Sequence, residues 1–409
     1  MIQSSDSKPL FPTTEIPPRN RVLVLGVGGG GGNMVARMAA RWGKDGPPVA
    51  VVNTDAQALA SCAVDRVYLI GEQTTQRMGA GGDPEAGRLA AEERSGEVAS
   101  WVTGHDLVFL VTGLGGGTGT GAAPVLAREI HKAGGLCLAF ASLPFVFEGD
   151  RRQRTAMEGL RLLQHSADAV VALPNEKLID LIDRDAGLVA TFEASDHQIS
   201  ACIYTIWKLL SEPGVINLDF ADIRQLVEVS RGACAYGYGE GSGKSRTADA
   251  LQALLNSPWL EKGRLLTESN GLLVNILGGP DITLSDVQGV VGEITAKLPK
   301  KAKVFTGASI LPSWRDRIAI TVIAAEASLG RKATTVRDEV EPEPGPPEKP
   351  ATKSGTVKEP QDLVQASLPL EDAEKHLERF KSTTATIVNG QNLDIPTYIR
   401  RSVKLSFER

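Results

Sequence analysis

The sequence predicts an α/β protein with a doubly wound parallel sheet, a long central helix, a second and smaller mixed α/β domain, and a disordered C-terminal tail. Short apolar runs alternate with amphipathic stretches through the first half of the chain, which is typical of strands connected by helices. Glycine-rich segments at 28–32 and 113–121 each follow an apolar run. An apolar stripe along 195–210 then predicts one long helix between two lobes.

Apolar runs in the first half predict the strands of the parallel sheet, at 22–27, 49–52, 67–70, 107–112, 136–143 and 169–173. Helices are expected after the first glycine segment and at 84–100 and 122–133. Because an open parallel sheet binds ligands at the carboxyl ends of its strands, we expect the functional site at that edge.

The first glycine segment leaves two interpretations open. Gly26, Gly28 and Gly31 have the spacing of a dinucleotide-binding fingerprint, and Asp55 follows the next strand where a ribose-binding acid would lie. On that interpretation the chain is a nicotinamide-dependent or flavin-dependent oxidoreductase. Five consecutive glycines and the second segment at 113–121 instead favour a nucleotide di- or triphosphate held by several loops.

The pattern changes after the central helix, which we expect over 195–212. Strands are predicted near 233–238, 272–277, 302–305 and 318–323, with a helix at 248–255. The run 239–245 ends in Gly-Lys-Ser, as a P-loop does, but Tyr238 stands where that motif requires glycine. We therefore interpret this run as a solvated hairpin or a strand-to-helix loop.

Composition sets the limits of the chain's domains. Residues 1–20 are polar and are expected to be a disordered tail, 21–194 a nucleotide-binding domain, and 213–328 the second domain. A stretch with seven prolines and mixed charge predicts a disordered linker at 329–392, with a transient helix at 370–380. The chain turns apolar and basic again at 393–409, as a docking peptide on a flexible tether would.

Charge and cysteine content exclude several classes of protein. A net charge of -5 and a pI near 5.7 argue against a general nucleic-acid binder. The four cysteines, Cys62, Cys137, Cys202 and Cys234, lack the paired spacing of a zinc site, so buried thiols in a reducing cytoplasm are expected. No apolar run approaches the length of a membrane span, and no secretory signal is evident.

Two carboxylates, Asp219 and Asp222, stand three apart in the segment 217–222. They share one face if that segment begins a helix. An aspartate at a helix start is ordinarily a cap, and the residues alone leave this open.

Several motifs, taken together, resemble the FtsZ family of bacterial tubulin-like cell-division GTPases. The motifs, in chain order, are GVGGGGGN at 26–33, NTDAQAL at 53–59, GLGGGTGTG at 113–121, PFVFEG at 144–149 and NLDFAD at 217–222. The resemblance runs from about Val22 to Ala325, and DIPTYIR at 394–400 resembles that family's C-terminal docking peptide.

The resemblance implies a GTP site whose residues come from both glycine segments and from the segments that follow. The residues so implied are Gly29, Gly30, Gly31, Gly32, Asn33, Gly116, Gly117, Thr118, Gly119, Glu148, Arg152, Asn175, Phe192 and Asp196. The glycines, Asn33 and Thr118 would hold the phosphates, and Glu148 and Arg152 would contact the ribose with Asn175 close by. Phe192 would stack on the base. Asp196 would accept hydrogen bonds from guanine N1–H and its amino group, which adenine cannot offer.

The resemblance also implies that catalysis is shared between subunits. Asp219, Asp222 and Asn217 would act on GTP bound by a neighbouring subunit in a head-to-tail filament, within the cytokinetic ring at the division site. The domain at 213–328 would then be an activation and polymerisation domain. Mg²⁺ bridging the phosphates is expected, although the sequence shows no dedicated ligand cage. Residues 393–401 would bind membrane-tethering and division-regulating proteins.

Departures from the family pattern leave a second function open. Gly82 and Asp83 replace the usual alanine and asparagine, which brings a negative charge toward the γ-phosphate region, and Tyr204 and Trp207 are bulkier than usual. A nucleotide-binding scaffold that polymerises weakly or hydrolyses slowly is the alternative to a ring-building GTPase.

Overall fold

The computed structural model describes residues 21–180, 187–212, 214–230 and 232–326, and the short strands at 387–388 and 391–392. The chain divides into two units, Met1–Val340 and Glu341–Arg409. In the second unit the described residues form one antiparallel strand pair. The predicted N-terminal tail, docking peptide and 370–380 helix, and the rest of the predicted linker, lie outside the described residues.

The described chain alternates strands and helices through its first half. The strands are β1 (Val22–Val27), β2 (Val49–Asn53), β3 (Val67–Leu69), β4 (Leu107–Gly113), β5 (Leu136–Leu143), β6 (Ala169–Pro174), β7 (Gly232–Ser242), β8 (Ser269–Gly278), β9 (Lys303–Ile310), β10 (Arg317–Glu326), β11 (Ile387–Val388) and β12 (Gln391–Asn392). The helices are α1 (Gly28–Trp42), α2 (Ala56–Ala60), α3 (Pro84–Glu93), α4 (Ser95–Val102), α5 (Gly117–Lys132), α6 (Asp150–Ser166), α7 (Leu188–Ser211), α8 (Phe220–Ser230), α9 (Arg246–Leu255), α10 (Arg264–Thr267) and α11 (Leu284–Thr295).

One ten-stranded sheet runs through the first unit in the order β3-β2-β1-β4-β5-β6-β7-β10-β8-β9. Neighbouring strands are parallel from β3 to β7, whereas β10 is antiparallel to both β7 and β8. Alternate residues of β1 enter different cores: Val22 and Val24 pack in one cluster, and Leu23 and Leu25 in another. Both faces are therefore covered, which confirms the predicted doubly wound sheet.

The second lobe continues the sheet of the first. β6 and β7 pair in parallel over Ala169–Gly232, Val170–Ala233 and Val171–Cys234. Central helix α7 joins the lobes on one face, since Thr205 hydrogen-bonds Thr321 across 2.9 Å and its carbonyl accepts from Asn275 Nδ2 at 2.8 Å. α7 begins at Leu188, earlier than the predicted start at Ser195.

Three further helix boundaries differ from prediction. Helix α1 begins at Gly28 and α5 at Gly117, so both glycine segments contribute the first turns of helices that we expected to begin after them. The predicted helix at 84–100 is two helices, α3 and α4, because the backbone leaves helical geometry at Arg94 (φ -115°, ψ 19°). Residues 239–242, which were predicted to be a loop, continue β7. Only residues 243–245 form the connection, a 3₁₀ turn between β7 and α9.

Candidate functional site

A cleft of about 500 Å³ lies at the carboxyl ends of β1, β4, β5 and β6. Its walls are the first turns of α1 and α5 and the first part of α7. The residues that line it are Gly29, Gly30, Asn33, Met34, Arg37, Gly113, Leu114, Gly116, Gly117, Thr118, Gly119, Ser142, Pro144, Glu148, Arg152, Asn175, Phe192, Glu193, Ser195 and Asp196. This is the edge of the sheet at which the sequence predicted the site.

The first turn of α1 consists of glycines because the helix lies almost on the backbone of β4. A Cβ on Gly31 would stand 2.2 Å from the carbonyl oxygen of Val111, whereas a Cβ on Gly29 would meet nothing within 4 Å. No side chain caps this helix end. Its backbone N–H groups, which lack intrahelical partners, therefore provide donors for an anion in the cleft.

Helix α5 supplies a second uncapped N-terminus to the same cleft. Its N-cap is Gly116, which has no side chain to accept a hydrogen bond. A Cβ on Gly119 would lie 2.4 Å from the carbonyl oxygen of Gly113, so close packing again requires glycine. Thr118 is held by a 2.6 Å hydrogen bond to Thr54. Two positive helix ends thus converge on one cavity, an arrangement that favours the binding of a polyphosphate.

Polar side chains on one side of the cleft are already fixed in position. Arg152 Nη1 contacts Glu148 Oε2 at 2.8 Å, and Glu148 Oε1 accepts from the backbone N–H of Phe145 at 2.9 Å. Asn175 is buried, and its Oδ1 accepts from Ser142 Oγ at 3.3 Å. This preorganised group suits a hydroxylated sugar, which both donates and accepts hydrogen bonds.

The opposite wall carries an aromatic ring and a buried carboxylate. Phe192 is partly buried, and its ring lies edge-on to Phe145 with centroids 5.5 Å apart. Asp196 is buried and accepts a hydrogen bond from Arg37 Nε. Burial raises the pKa of the Asp196 carboxyl, and the neighbouring Arg37 opposes that rise. A carboxylate beside a ring can bind a base that presents N–H donors.

Asp219 and Asp222 do not reach this cleft within one chain. They lie beyond the C-terminus of α7, and residues 196 to 211 of that helix alone rise by about 22 Å. The N–H of Asp222 donates to Asp219 Oδ1, and that of Asp219 donates to Asp222 Oδ2, both at 3.0 Å. The acids thus cap α8, which is the ordinary role that the residues alone suggested.

The loop that carries these acids is attached to the edge strand of the sheet. Asn217 Oδ1 accepts from the N–H of Gly214 at 2.9 Å. The N–H groups of Val215 and Ile216 donate to the carbonyl of Ala308 in β9, at 2.9 and 3.2 Å. The loop is therefore positioned by the second lobe.

Most of the residues that the family resemblance implied for the GTP site line the cleft. Gly31 and Gly32 do not line it, because they pack on β4 and on Val51. Arg37 was not anticipated, although it lies one turn after Asn33 on the same helix face. Helical periodicity could have found it if α1 had been predicted to start at the glycines.

Asp55 does not line the cleft, although the dinucleotide interpretation required that it should. Its Oδ1 caps α2 by accepting from the N–H groups of Gln57 and Ala58, at 2.9 and 3.1 Å. In the parts of the chain that the structure describes, no three His, Cys, Asp or Glu side chains form a metal-binding group. The helices described also include none that is long and apolar enough to cross a membrane.

Comparison with known proteins gives two family matches. Residues 21–183 match the Tubulin/FtsZ family GTPase domain, and residues 232–328 match the FtsZ family C-terminal domain.

Individual relatives match over nearly the whole chain. It is 36% identical over 403 residues to the cell division protein FtsZ of Azotobacter vinelandii, covering 96% of this chain and 99% of that protein. It is 36% identical to the FtsZ of Pseudomonas aeruginosa over 93% of this chain and 96% of that protein. Among solved structures, an empty FtsZ dimer of M. jannaschii superposes with a TM-score of 0.70 at 34% identity, covering 76% of this chain and 89% of that one.

Proposed function

Because the chain belongs to the FtsZ family of tubulin-like cell-division GTPases, we propose that it binds GTP in the cleft between α1, α5 and α7, hydrolyses it, and assembles head to tail into the filaments of the cytokinetic ring. The observation that carries this proposal is the convergence of two uncapped, glycine-built helix N-termini on one cavity. A volume of about 500 Å³ is of the size that encloses a nucleotide.

Each wall of the cleft binds a different part of GTP. The first turns of α1 and α5, with Asn33 and Thr118, bind the phosphates, and Glu148, Arg152 and Asn175 contact the ribose. Phe192 stacks on the base. The buried Asp196 accepts from guanine N1–H and its amino group, which provides the preference for guanine over adenine.

The acids that promote hydrolysis come from a second subunit. Asp219 and Asp222 lie on a loop that is distant from the cleft of its own chain, so only a neighbour's cleft is available to them. They orient the attacking water or a cation, since phosphoryl transfer depends mainly on positioning and charge stabilisation. Asn217 holds the loop by accepting from Gly214. Hydrolysis therefore requires polymerisation.

Magnesium would be bound by the nucleotide rather than by a set of protein ligands. The described part of the cleft has helix N–H groups and the Thr118 hydroxyl at its proposed phosphate end, whereas its carboxylates, Glu148, Glu193 and Asp196, lie on the walls assigned to the ribose and the base. These donors fit the phosphate oxygens, and other phosphate oxygens would themselves be ligands of Mg²⁺. When bound, the ion neutralises negative charge on the phosphates.

Attachment to other components uses the C-terminal peptide. Residues 393–401 bind membrane-tethering or regulatory proteins, which place the filaments at the division site within the cytoplasm. Support comes from the sequence, where apolar and basic residues follow a proline-rich stretch. A pull-down with the 381–409 peptide, against the same peptide with Ile395 and Ile399 changed to Asp, tests this. Equal capture by both peptides would reject it.

Concentration dependence tests the main proposal. Purified protein with GTP and Mg²⁺ should form sedimentable filaments, and hydrolysis per molecule should rise sharply above a critical concentration. GDP in place of GTP controls for aggregation. Hydrolysis that is independent of protein concentration, or an absence of filaments at high concentration, would instead favour the weakly polymerising scaffold.

A further inference from the structure

Strand β9 is the outer edge of the ten-stranded sheet in the second lobe. Its inner side pairs in parallel with β8 along the whole strand. On its outer side the N–H of Ala308 donates to the carbonyl of Ile216 at 2.9 Å, and the two residues form an antiparallel bridge. The outer side of β9 therefore already accepts a short extended segment at one end.

The other end of that outer side is open. Alternate residues of a strand direct their N–H and C=O groups to the same side, so Val304 and Thr306 face outward as Ala308 does. Within the described parts of the chain, neither residue has a backbone hydrogen-bond partner on that side. Val304 is exposed and Thr306 is partly exposed. Free N–H and C=O groups in this arrangement are what an extended peptide pairs with when it adds to a sheet.

A basic run leads into this open edge. Its members are all exposed, and they are Lys297, Lys300, Lys301 and Lys303. The N–H of Ala302 donates to the carbonyl of Pro299 at 2.9 Å, which closes a turn directly before β9 with two of these lysines at its tip. The lysines that form ion pairs within the described chain lie elsewhere, on α5, on α7 and in the turn after β6. The sequence has no Asp or Glu from 294 to 315, so the run has no acid close to it along the chain.

The charge of this edge is opposite in sign to that of the whole chain, which is -5. Lysines on a sheet edge oppose pairing with a like edge, because two such edges would bring their positive charges together. The same charges attract a strand that carries carboxylates. The edge of β9 therefore disfavours a second copy of itself and favours an acidic partner.

We propose that the open edge of β9, from Lys303 to Thr306, is a docking site for an acidic, extended segment of a partner protein, which adds to the sheet as a further strand. The backbone groups of Val304 and Thr306 supply the hydrogen bonds, and carboxylates of the partner meet the basic run. β9 contributes no residue to the described cleft, so this proposal does not depend on the proposed GTP site.

Binding of a synthetic probe to the full chain tests the proposal. The probe is a short fluorescent peptide of alternating glutamate and threonine, and fluorescence anisotropy measures its affinity. A control peptide with lysine in place of each glutamate should not bind. A second control keeps the glutamates but carries N-methyl groups on two adjacent central residues. Because successive N–H groups of a strand point to opposite sides, this blocks both edges of the peptide and should weaken binding about tenfold.

Variants of the chain separate backbone pairing from charge. Thr306→Pro removes an outward N–H without loss of a bond to β8, since proline is tolerated on an edge strand, and should weaken binding of the probe about tenfold. Thr306→Ala keeps that N–H and should match the parent chain. Replacement of Lys300 and Lys301 together by alanine should weaken binding about fivefold. Replacement of the exposed Lys44 and Lys132 by alanine removes the same charge elsewhere and should have no effect.

Three results would overturn the proposal. If the acidic probe does not bind the parent chain, the lysines only protect the edge from self-association. If N-methylation of the probe and Thr306→Pro both leave binding unchanged, charge alone holds the probe, and the run is a surface for polyanions such as nucleic acid or anionic lipid. If the variant at Lys300 and Lys301 binds normally, charge does not select the partner. Circular dichroism identifies a misfolded variant, and the N-methylated peptide then measures backbone pairing on the parent chain.

Discussion

Asp219 and Asp222 exchange two hydrogen bonds at the start of α8, with each backbone N–H donating to the other residue's carboxylate at 3.0 Å. The same two side chains thus cap α8 and form the proposed catalytic pair. Variants at these positions must therefore separate a loss of stability from a loss of chemistry.

Asp222→Ala should retain GTP binding and lose most hydrolysis, because the cleft of its own chain does not contain this acid. The lost hydrogen bond from the Asp219 N–H to the Asp222 carboxylate should lower the free energy of unfolding by about 1 kcal/mol, while Asp219 remains as the N-cap. Asp219→Asn is the matched control for stability, since asparagine caps as well as aspartate while its charge is removed. Binding of a labelled nucleotide, steady-state hydrolysis and urea unfolding measure the three effects. Normal turnover in Asp222→Ala would reject the shared site.

Filaments that mix two inactive variants provide a second test of the shared site. Asp222→Ala supplies intact clefts, and a variant that cannot bind GTP, such as Asp196→Ala, supplies intact acids. If the site is shared and the two copolymerise, the mixture should hydrolyse GTP faster than the sum of the separate proteins. Additive rates in mixtures that sediment together would contradict it.

Nucleotide affinity should fall on acidification at a higher pH than an ordinary aspartate would require. Burial raises the pKa of Asp196 above its usual value of 3.8. Its proton is therefore bound more tightly in the folded chain, and ionisation of this group removes stability as pH rises from 3.8 through the raised pKa. GDP titrations across this range should show the loss of affinity on protonation, while Asp196→Asn should bind weakly and without that dependence. An identical pH profile in both proteins would exclude Asp196 as its source.

Gly31→Ala should be strongly destabilising, whereas Gly29→Ala should fold normally. The new Cβ on residue 31 would lie 2.2 Å from a β4 carbonyl, but that on residue 29 would enter open space. Separation of α1 from β4 should cost at least about 3 kcal/mol. Thermal unfolding of the two variants compares them directly. A normal melting temperature for Gly31→Ala would show that α1 does not lie this close to the sheet.

Asp83→Asn should leave stability within about 0.5 kcal/mol, since the side chain caps α3 by accepting from Glu85 N–H and asparagine caps equally well. The backbone of Asp83 abuts Gly117 at the start of α5, where we propose that the phosphates bind, so its charge would lie near them. GTP affinity should therefore depend less steeply on Mg²⁺ in this variant. Binding titrations with and without the ion decide this, and equal dependence would make the charge irrelevant.

The alternation of apolar runs was sufficient to predict the parallel strands, because a buried strand is recognisable from its own hydrophobic residues. Both glycine segments were visible in the sequence itself. The start of α1 at Gly28 was missed, since glycine disfavours helix and only the approach of β4 accounts for it. Arg37 was missed for the same reason. That β7 extends the first lobe's sheet depends on pairing between residues about 60 positions apart, which no local pattern reports.

If the acids act on a neighbour's nucleotide as proposed, the distance between the cleft and the acids sets the stoichiometry of catalysis. In a row of such subunits each junction completes one site, so the number of working sites is one fewer than the number of molecules. Activity per molecule would then be half-maximal in a dimer and approach its limit only in long filaments. The rate of phosphate release therefore becomes a direct gauge of mean filament length, which a chain with its acids beside its own nucleotide could not provide.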